Sequence, residues 1–257
     1  MDTSIFEELR SLLTTGQWPQ AVNPLLICNP NIEQEKEGRA RDILNLYIDK
    51  RVKGKKLLDI GCGEGHLAKI AVAEFDAKSA VAYDNVSYEW KQSTNELKFT
   101  NNLEEVTSSG PYDIITIYDV LDHATNPVEV LTMAKSVLSP TGTIHLHCHP
   151  WISRHGGHYY QQINKAFIHL VFTQDELQSM GYQPTTDVQR VIAPVKTYTA
   201  WIESAGLKVK SQNVSRTPVD EIFYKVDILK QRLPVIIIGK FPKYQMEQSF
   251  HDYALAL

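Results

Sequence analysis

Short apolar runs alternate with amphipathic stretches along most of this chain, and the alternation itself predicts the elements. Ser4 to Leu13 places Ile5, Leu9, Leu12 and Leu13 on one helical face, with Thr3 or Ser4 as N-cap. Gln17 to Pro30 mixes prolines with Trp18, Leu25, Leu26 and Ile27 and reads as an ordered crossing segment. Ile32 to Lys50 predicts a helix with Ala40, Ile43, Leu44, Tyr47 and Ile48 inward and charges outward. A buried strand at Leu57 and Leu58 then runs into a glycine-rich turn, and His66 to Phe75 resumes helical spacing through Leu67, Ile70 and Ala71. Further strands are predicted at Ser79 to Tyr83, more weakly at Glu96 to Asn102, at Tyr112 to Tyr118 and at Thr143 to His149. Between the last two, Asn126 caps a helix with Pro127 at its first position and Glu129 three residues past the cap, and Ser139 to Gly142 reads as a turn.

After Pro150 the rhythm breaks. Residues 150 to 172 read as an insertion, and Thr173 with Glu176 forms a capping box for the next helix. Tyr198 to Ala205 is a helix closed by Gly206, Leu207 to Val214 a strand, Val235 to Lys240 a last strand and Phe241 to Leu257 a tail. Strands separated by helices of this length imply right-handed βαβ units, hence an α/β fold with a doubly wound, mostly parallel sheet covered on both faces. The expected division is one domain: a helical extension at 1–53, a core at 54–149, an insertion at 150–197, closing strands at 198–241 and a tail at 242–257.

Composition adds little to this picture. A 43% hydrophobic content supports one sizeable core, and a net charge of −4 argues against bulk electrostatic binding of duplex nucleic acid. Cys28, Cys62 and Cys148 make neither a disulfide framework nor a metal pair, and Cys148 reads as a core thiol. With no basic leader and no apolar run near the roughly 18 residues of a membrane span, the expectation is a cytoplasmic protein without membrane partners.

The chemistry concentrates at Lys55 to Ala68, KKLLDIGCGEGHLA. Gly61, Gly63 and Gly65 allow positive φ and close backbone approach to a ligand, and Asp59 stands where the strand ends. Asp84 ends the second strand about twenty residues later, where a doubly wound fold sets a carboxylate against ribose hydroxyls. The compressed spacing G-x-G-x-G counts against an NAD-dependent dehydrogenase.

That corner resembles motif I of the class I S-adenosylmethionine-dependent methyltransferases, with the likeness extending over about Gly54 to Lys240. The resemblance implies a seven-stranded sheet and S-adenosylmethionine as cofactor. It places Gly61 and Gly63 under the methionine moiety, with Asp59 orienting its ammonium and Cys62 and Gly65 among the cofactor-binding residues. Asp84 would hold the ribose, with Asn85 also cofactor-binding, Asn101, Asn102 and Leu103 would meet the adenine, and Tyr118 and Asp119 would border the methyl.

Six of the nine histidines fall between His145 and His169. Period two puts His145, His147 and His149 on one strand face. Ligands bind beyond strand carboxyl ends, so His149 is the candidate base, joined by Asp119 and His155, while His145 and His147 are expected as hydrogen-bonded interior residues. Trp151, Arg154, His158 and Tyr159 are candidate acceptor contacts. The D-x-x-D-H text of Asp119, Asp122 and His123, with His149, offers an alternative divalent-metal site; the same text occurs in the family without metal, and the metal-free reading is preferred.

The expected reaction is methyl transfer to an oxygen or nitrogen of a small-molecule or glycan-like acceptor. One alternative acceptor is RNA or a nucleotide, met by Arg154, Lys165, Tyr159 and Tyr160. Another is a non-catalytic methyltransferase-like binding module. No N-P-P-Y or D-P-P-Y follows the fourth strand, which removes amino-methylation of DNA bases, and Cys148 precedes Pro150 without the setting of a C5-pyrimidine nucleophile. Nothing in the residues fixes the oligomeric state.

Overall fold

A computed structural model describes residues 3–24, 29, 31–48, 50–90, 93–149, 151, 153–183, 195–217, 222–232 and 246–256. The chain divides into two compact units. One comprises Met1–Ile27, His149–Pro194 and Val214–Phe250; the other comprises Cys28–Cys148, Val195–Asn213 and His251–Leu257.

The second unit carries β1 (Lys56–Ile60), β2 (Ser79–Tyr83), β3 (Leu97–Thr100), β4 (Tyr112–Tyr118) and β5 (Leu138–His147), with the matching parts of β6 (Lys208–Thr217) and β7 (Met246–Ala256). Sheet order is β3-β2-β1-β4-β5-β7-β6. β1 through β5 pair in parallel, and β7 runs antiparallel to β5 with Ile144 opposite Leu255. Order reverses between β1 and β4, so the doubly wound sheet has its switch point beside the glycine turn that follows β1. In β1, Leu57, Leu58, Asp59 and Ile60 are all buried. Successive strand residues face opposite sides, so both faces of the sheet are covered. One face is closed by a cluster in which Leu57, Ala80, Ala82 and Ile114 meet Leu67, Ile70 and Ala71 of the helix His66–Glu74 and Ala40, Ile43, Leu44 and Ile48.

Several predicted elements change shape. The expected helix over Ile32 to Lys50 is an α-helix only at Glu33–Asp42, after which Ile43–Tyr47 is π-helical. There Ile48 N–H donates to Ile43 O at 3.2 Å, and the wider turn lets Ile43, Leu44 and Ile48 all reach the core. An unforeseen helix spans Leu103–Ser109, capped by the Asn102 side chain, which accepts from Glu104 N–H. The expected turn at Ser139 to Gly142 is part of β5. Its register shifts against β4 between Tyr112 and Ile114, and a Cβ on Gly142 would sit 2.9 Å from Tyr112 O. The expected tail contains β7. The strand expected at Val235 to Lys240 lies outside the described residues. Helices Pro127–Ser136 and Val195–Ser204 pack together, and the closing glycine of the latter, Gly206, has φ +71°.

The first unit has its own core. Trp18 stacks on Phe172 and meets Phe223 edge-on, Phe167 is edge-on to Phe223, and Leu9, Leu13, Leu177, Ile228 and Leu229 fill around them. Trp18 Nε1–H donates to Ala166 O at 2.9 Å, which fastens the crossing segment to the insertion. The capping box of Thr173 and Glu176 opens the helix Gln174–Ser179.

Candidate functional site

β1 delivers Asp59 into the interior and then turns at Gly61, Gly63 and Gly65, whose φ values are +72°, +54° and +81°. The three glycines have different reasons to be glycine. A Cβ on Gly61 would fall 2.3 Å from Val120 Cγ2, and one on Gly65 2.4 Å from Phe99 Cε1. At Gly63 nothing lies within 4 Å of that position, so an open cradle faces outward where backbone can meet a ligand.

Asp84, at the end of β2, holds the turn from the other side. Its Oδ2 accepts Gly63 N–H at 2.9 Å and its Oδ1 accepts Val86 N–H at 3.1 Å. Each oxygen keeps a further acceptor lone pair, so the carboxylate is aimed by the backbone while retaining capacity for two hydroxyls. Asp59 is 4% exposed and accepts Thr116 Oγ1–H at 2.6 Å. Burial pushes its carboxyl up to about 7, the Thr116 hydrogen bond opposes this, and the charge of Asp84 adds to it. Burial also pushes the Cys62 thiol far up, which leaves that residue a poor nucleophile. Asn85 is exposed, Asn101 Nδ2–H donates to Ser87 Oγ at 2.7 Å, and Leu103 is an exposed apolar residue beside them in sequence. Asn102, expected against the adenine, has its side-chain oxygen committed to the helix cap. An open cradle, an aimed acid and a buried acid fit a nucleoside with a cationic tail.

At the carboxyl end of β4, Asp119 adopts φ +55° and receives both Arg39 Nη2–H at 2.7 Å and His147 Nδ1 at 2.5 Å. The His147 ring stacks on Tyr118 with centroids 4.2 Å apart, and Arg39 lies over the Tyr118 ring. His147 is thus the hydrogen-bonded interior residue expected; its pairing with Asp119 was not foreseen. His145 is half-buried, its Nε2 has no partner among the described residues, and burial lowers its pKa to about 4. A cavity of about 10 Å³, room for roughly one water, lies between it and Tyr47, Thr116, Tyr118 and His147.

His149 and His155 belong to the first unit and are brought together there, His155 Nε2 lying 3.2 Å from His149 Nδ1, with the His158 and Tyr160 rings nearby. Three of the expected acceptor contacts have partners or packing within that unit. Tyr159 is 1% exposed within the core, His158 is buried, and Arg154 donates to Gln20 O at 2.8 Å while covering the Phe167 ring. Aromatic area and a long alkyl stem serve packing as readily as recognition. Trp151 is half-buried, packed edge-on to His169, whose Nε2–H donates to the Trp151 carbonyl. Of the alternative metal ligands, Asp122 is fully buried with His123 Nε2 3.9 Å away, too long for a hydrogen bond, and Asp119 is engaged by Arg39 and His147.

Residues 32–184 match the model of a family described as a methyltransferase domain. This chain belongs to that family. A ubiquinone biosynthesis O-methyltransferase of Pseudomonas savastanoi pv. phaseolicola is 28% identical over 183 residues, covering 64% of this chain and 70% of the relative. The corresponding Pseudomonas aeruginosa (strain LESB58) protein is 29% identical over 180 residues, with the same shares covered. Among solved structures, a SAM-dependent methyltransferase from Archaeoglobus fulgidus aligns with TM-score 0.50 at 14% identity, covering 85% of this chain and 93% of that one, a likeness of fold. The family, the doubly wound sheet and the glycine turn are together those of a class I S-adenosylmethionine-dependent methyltransferase. In this family setting the glycine cradle, Asp59 and Asp84 are the residues that fit the cofactor. Among the described residues, no helix is long and apolar enough to cross a membrane.

Proposed function

We propose that this methyltransferase acts on an oxygen of a small-molecule acceptor. The observation that carries this reading is the set of sequence relatives, which are named as O-methyltransferases over an alignment reaching 70% of their length. The cofactor, when bound, supplies a methyl on a cationic sulfur that departs as a neutral thioether, so the chain must mainly align the acceptor and remove its proton. Asp84 receives the ribose hydroxyls and Asp59 the ammonium, with Gly63 forming the floor between them.

His149 takes the acceptor proton. When its Nδ1–H donates to His155 Nε2, the opposite nitrogen of His149 carries the lone pair that a base needs, so His155 selects the reactive tautomer. That nitrogen would accept the acceptor's hydroxyl proton, and the imidazolium would then release it to solvent. Asp119 orients the end of β4 through Arg39 and His147.

The test is to supply S-adenosylmethionine with a panel of hydroxylated aromatic acids, amines and free sugars, and to measure S-adenosylhomocysteine and methylated product by mass spectrometry. Transfer to a hydroxyl supports the proposal; transfer confined to nitrogen acceptors or to polynucleotides overturns it. His149→Ala should lower kcat about 10²- to 10⁴-fold while leaving donor affinity intact.

A further inference from the structure

Asp84 and Trp90 lie six positions apart in the connection from β2 to β3, and both bind the same residue, Gly63. Asp84 accepts its N–H, and the Trp90 indole Nε1–H donates to its carbonyl at 2.8 Å. The connection therefore grips the glycine turn on both sides of the one Cα whose Cβ direction is open. Beneath the indole, Phe99 of β3 stacks at 20° with centroids 6.2 Å apart, and the same Phe99 fills the space beside Gly65. The Tyr88 ring lies tilted beside Trp90, with centroids 6.1 Å apart. Val86 and Tyr88 are 54% and 41% exposed, and Leu103 is 45% exposed, so large apolar groups face solvent next to the ribose-binding acid. The Asn101–Ser87 hydrogen bond ties the loops that carry them. Exposed apolar side chains around a polar anchor are what a planar heteroaromatic base would cover.

We propose that Trp90 is a positioning residue of the donor site: it fixes the Gly63 peptide for the cofactor and forms, with Tyr88, the wall beside its adenine. This rests on reading the glycine turn as the donor site. A neutral hydrogen bond and a ring face are at stake, so Trp90→Phe, which keeps a ring but loses the N–H, should weaken S-adenosylhomocysteine binding about fivefold. Trp90→Ala should weaken it about thirtyfold. Trp90→His, which restores a ring N–H, should bind more tightly than Trp90→Ala.

Calorimetry with S-adenosylhomocysteine on the full chain and these three variants, each first checked by thermal melting, is the experiment. In steady state the donor KM should rise with kcat at saturating donor unchanged within about twofold, a split that general destabilisation would not produce. Wild-type tryptophan emission should change on binding, and that change should vanish in Trp90→Phe although three other tryptophans remain. Folded Phe and Ala variants that bind like wild type, or an emission change that survives in Trp90→Phe, overturn the role of Trp90. Failure of wild type itself to bind would instead overturn the donor-site assignment on which the proposal stands.

Discussion

The buried carboxyl of Asp59 opposes folding once it must ionise. Its folded pKa, about 7, lies above that of an unfolded aspartate, about 4. From about pH 4 to 7 the unfolded chain loses a proton that the folded chain retains, so this group lowers stability as pH rises through that window. A cationic ligand ammonium favours the ionised form, so affinity for S-adenosylhomocysteine should rise between pH 5.5 and 7.5 as stability falls. Calorimetry at both pH values should find that rise in wild type, and a lower, flat affinity in Asp59→Asn. Gly65 gives a second residue-level prediction. An added Cβ must tolerate φ +81° and displace the Phe99 ring from 2.4 Å, so Gly65→Ala should cost about 1–3 kcal/mol, read as a lowered denaturation midpoint. Neither effect requires contact with the acceptor.

Among the elements, the helix Gln174–Ser179 depends on a side chain that its sequence announced and a partner that it did not. Thr173 and Glu176 were legible as a capping box three residues apart, because capping is local chemistry. Arg232, far along the chain, places Nη2 3.0 Å from Glu176 Oε1 within the same unit, and only the fold could supply it. Burial pushes the Glu176 carboxyl up, but Arg232 and the Thr173 N–H outweigh this and hold it below the ordinary range. Its contribution is therefore present above the unfolded pKa and lost as pH falls through the folded one. Arg232→Met leaves a nearly inaccessible carboxylate without its ion partner and should cost about 3–5 kcal/mol at pH 7, less at pH 4, by denaturant titration. The same division explains the other elements. β1, β2 and β4 are short apolar runs ended by acids and were readable directly; the π-turn at Ile43–Tyr47 and the bulged start of β5 arise from tertiary packing that a 3.6-residue or two-residue period cannot encode. Asn102 had the residue type of an N-cap, with Glu104 and Glu105 after it, so that helix was legible and was masked by assigning Asn102 to a ligand.

For the whole molecule, the glycine turn and its two acids were legible locally, and the surroundings of the insertion's aromatic and basic residues were not. Three glycines and Asp59 are spaced within one strand–turn–helix and Asp84 reaches that turn from the end of β2, whereas Tyr159 and Arg154 look the same in sequence whether they face a substrate or a core. Tyr159 is buried and the half-buried Arg154 donates to Gln20 O, which commits two of the contacts that the RNA alternative needed, and the chain as a whole carries a net charge of −4. Polynucleotide binding that neutralises Z phosphates weakens with log salt at a slope near −0.7Z for single strands, while a small neutral acceptor releases no such counterions. Methyl transfer should therefore keep its kcat/KM within about threefold between 50 and 500 mM salt, provided donor is saturating. A fall of two or more decades over that range, accompanied by retention on single-stranded RNA at low salt, would assign the acceptor to nucleic acid. Measured with His149→Ala alongside, the same series separates turnover from donor binding: the variant should lose turnover at every salt concentration and keep the wild-type affinity for S-adenosylhomocysteine.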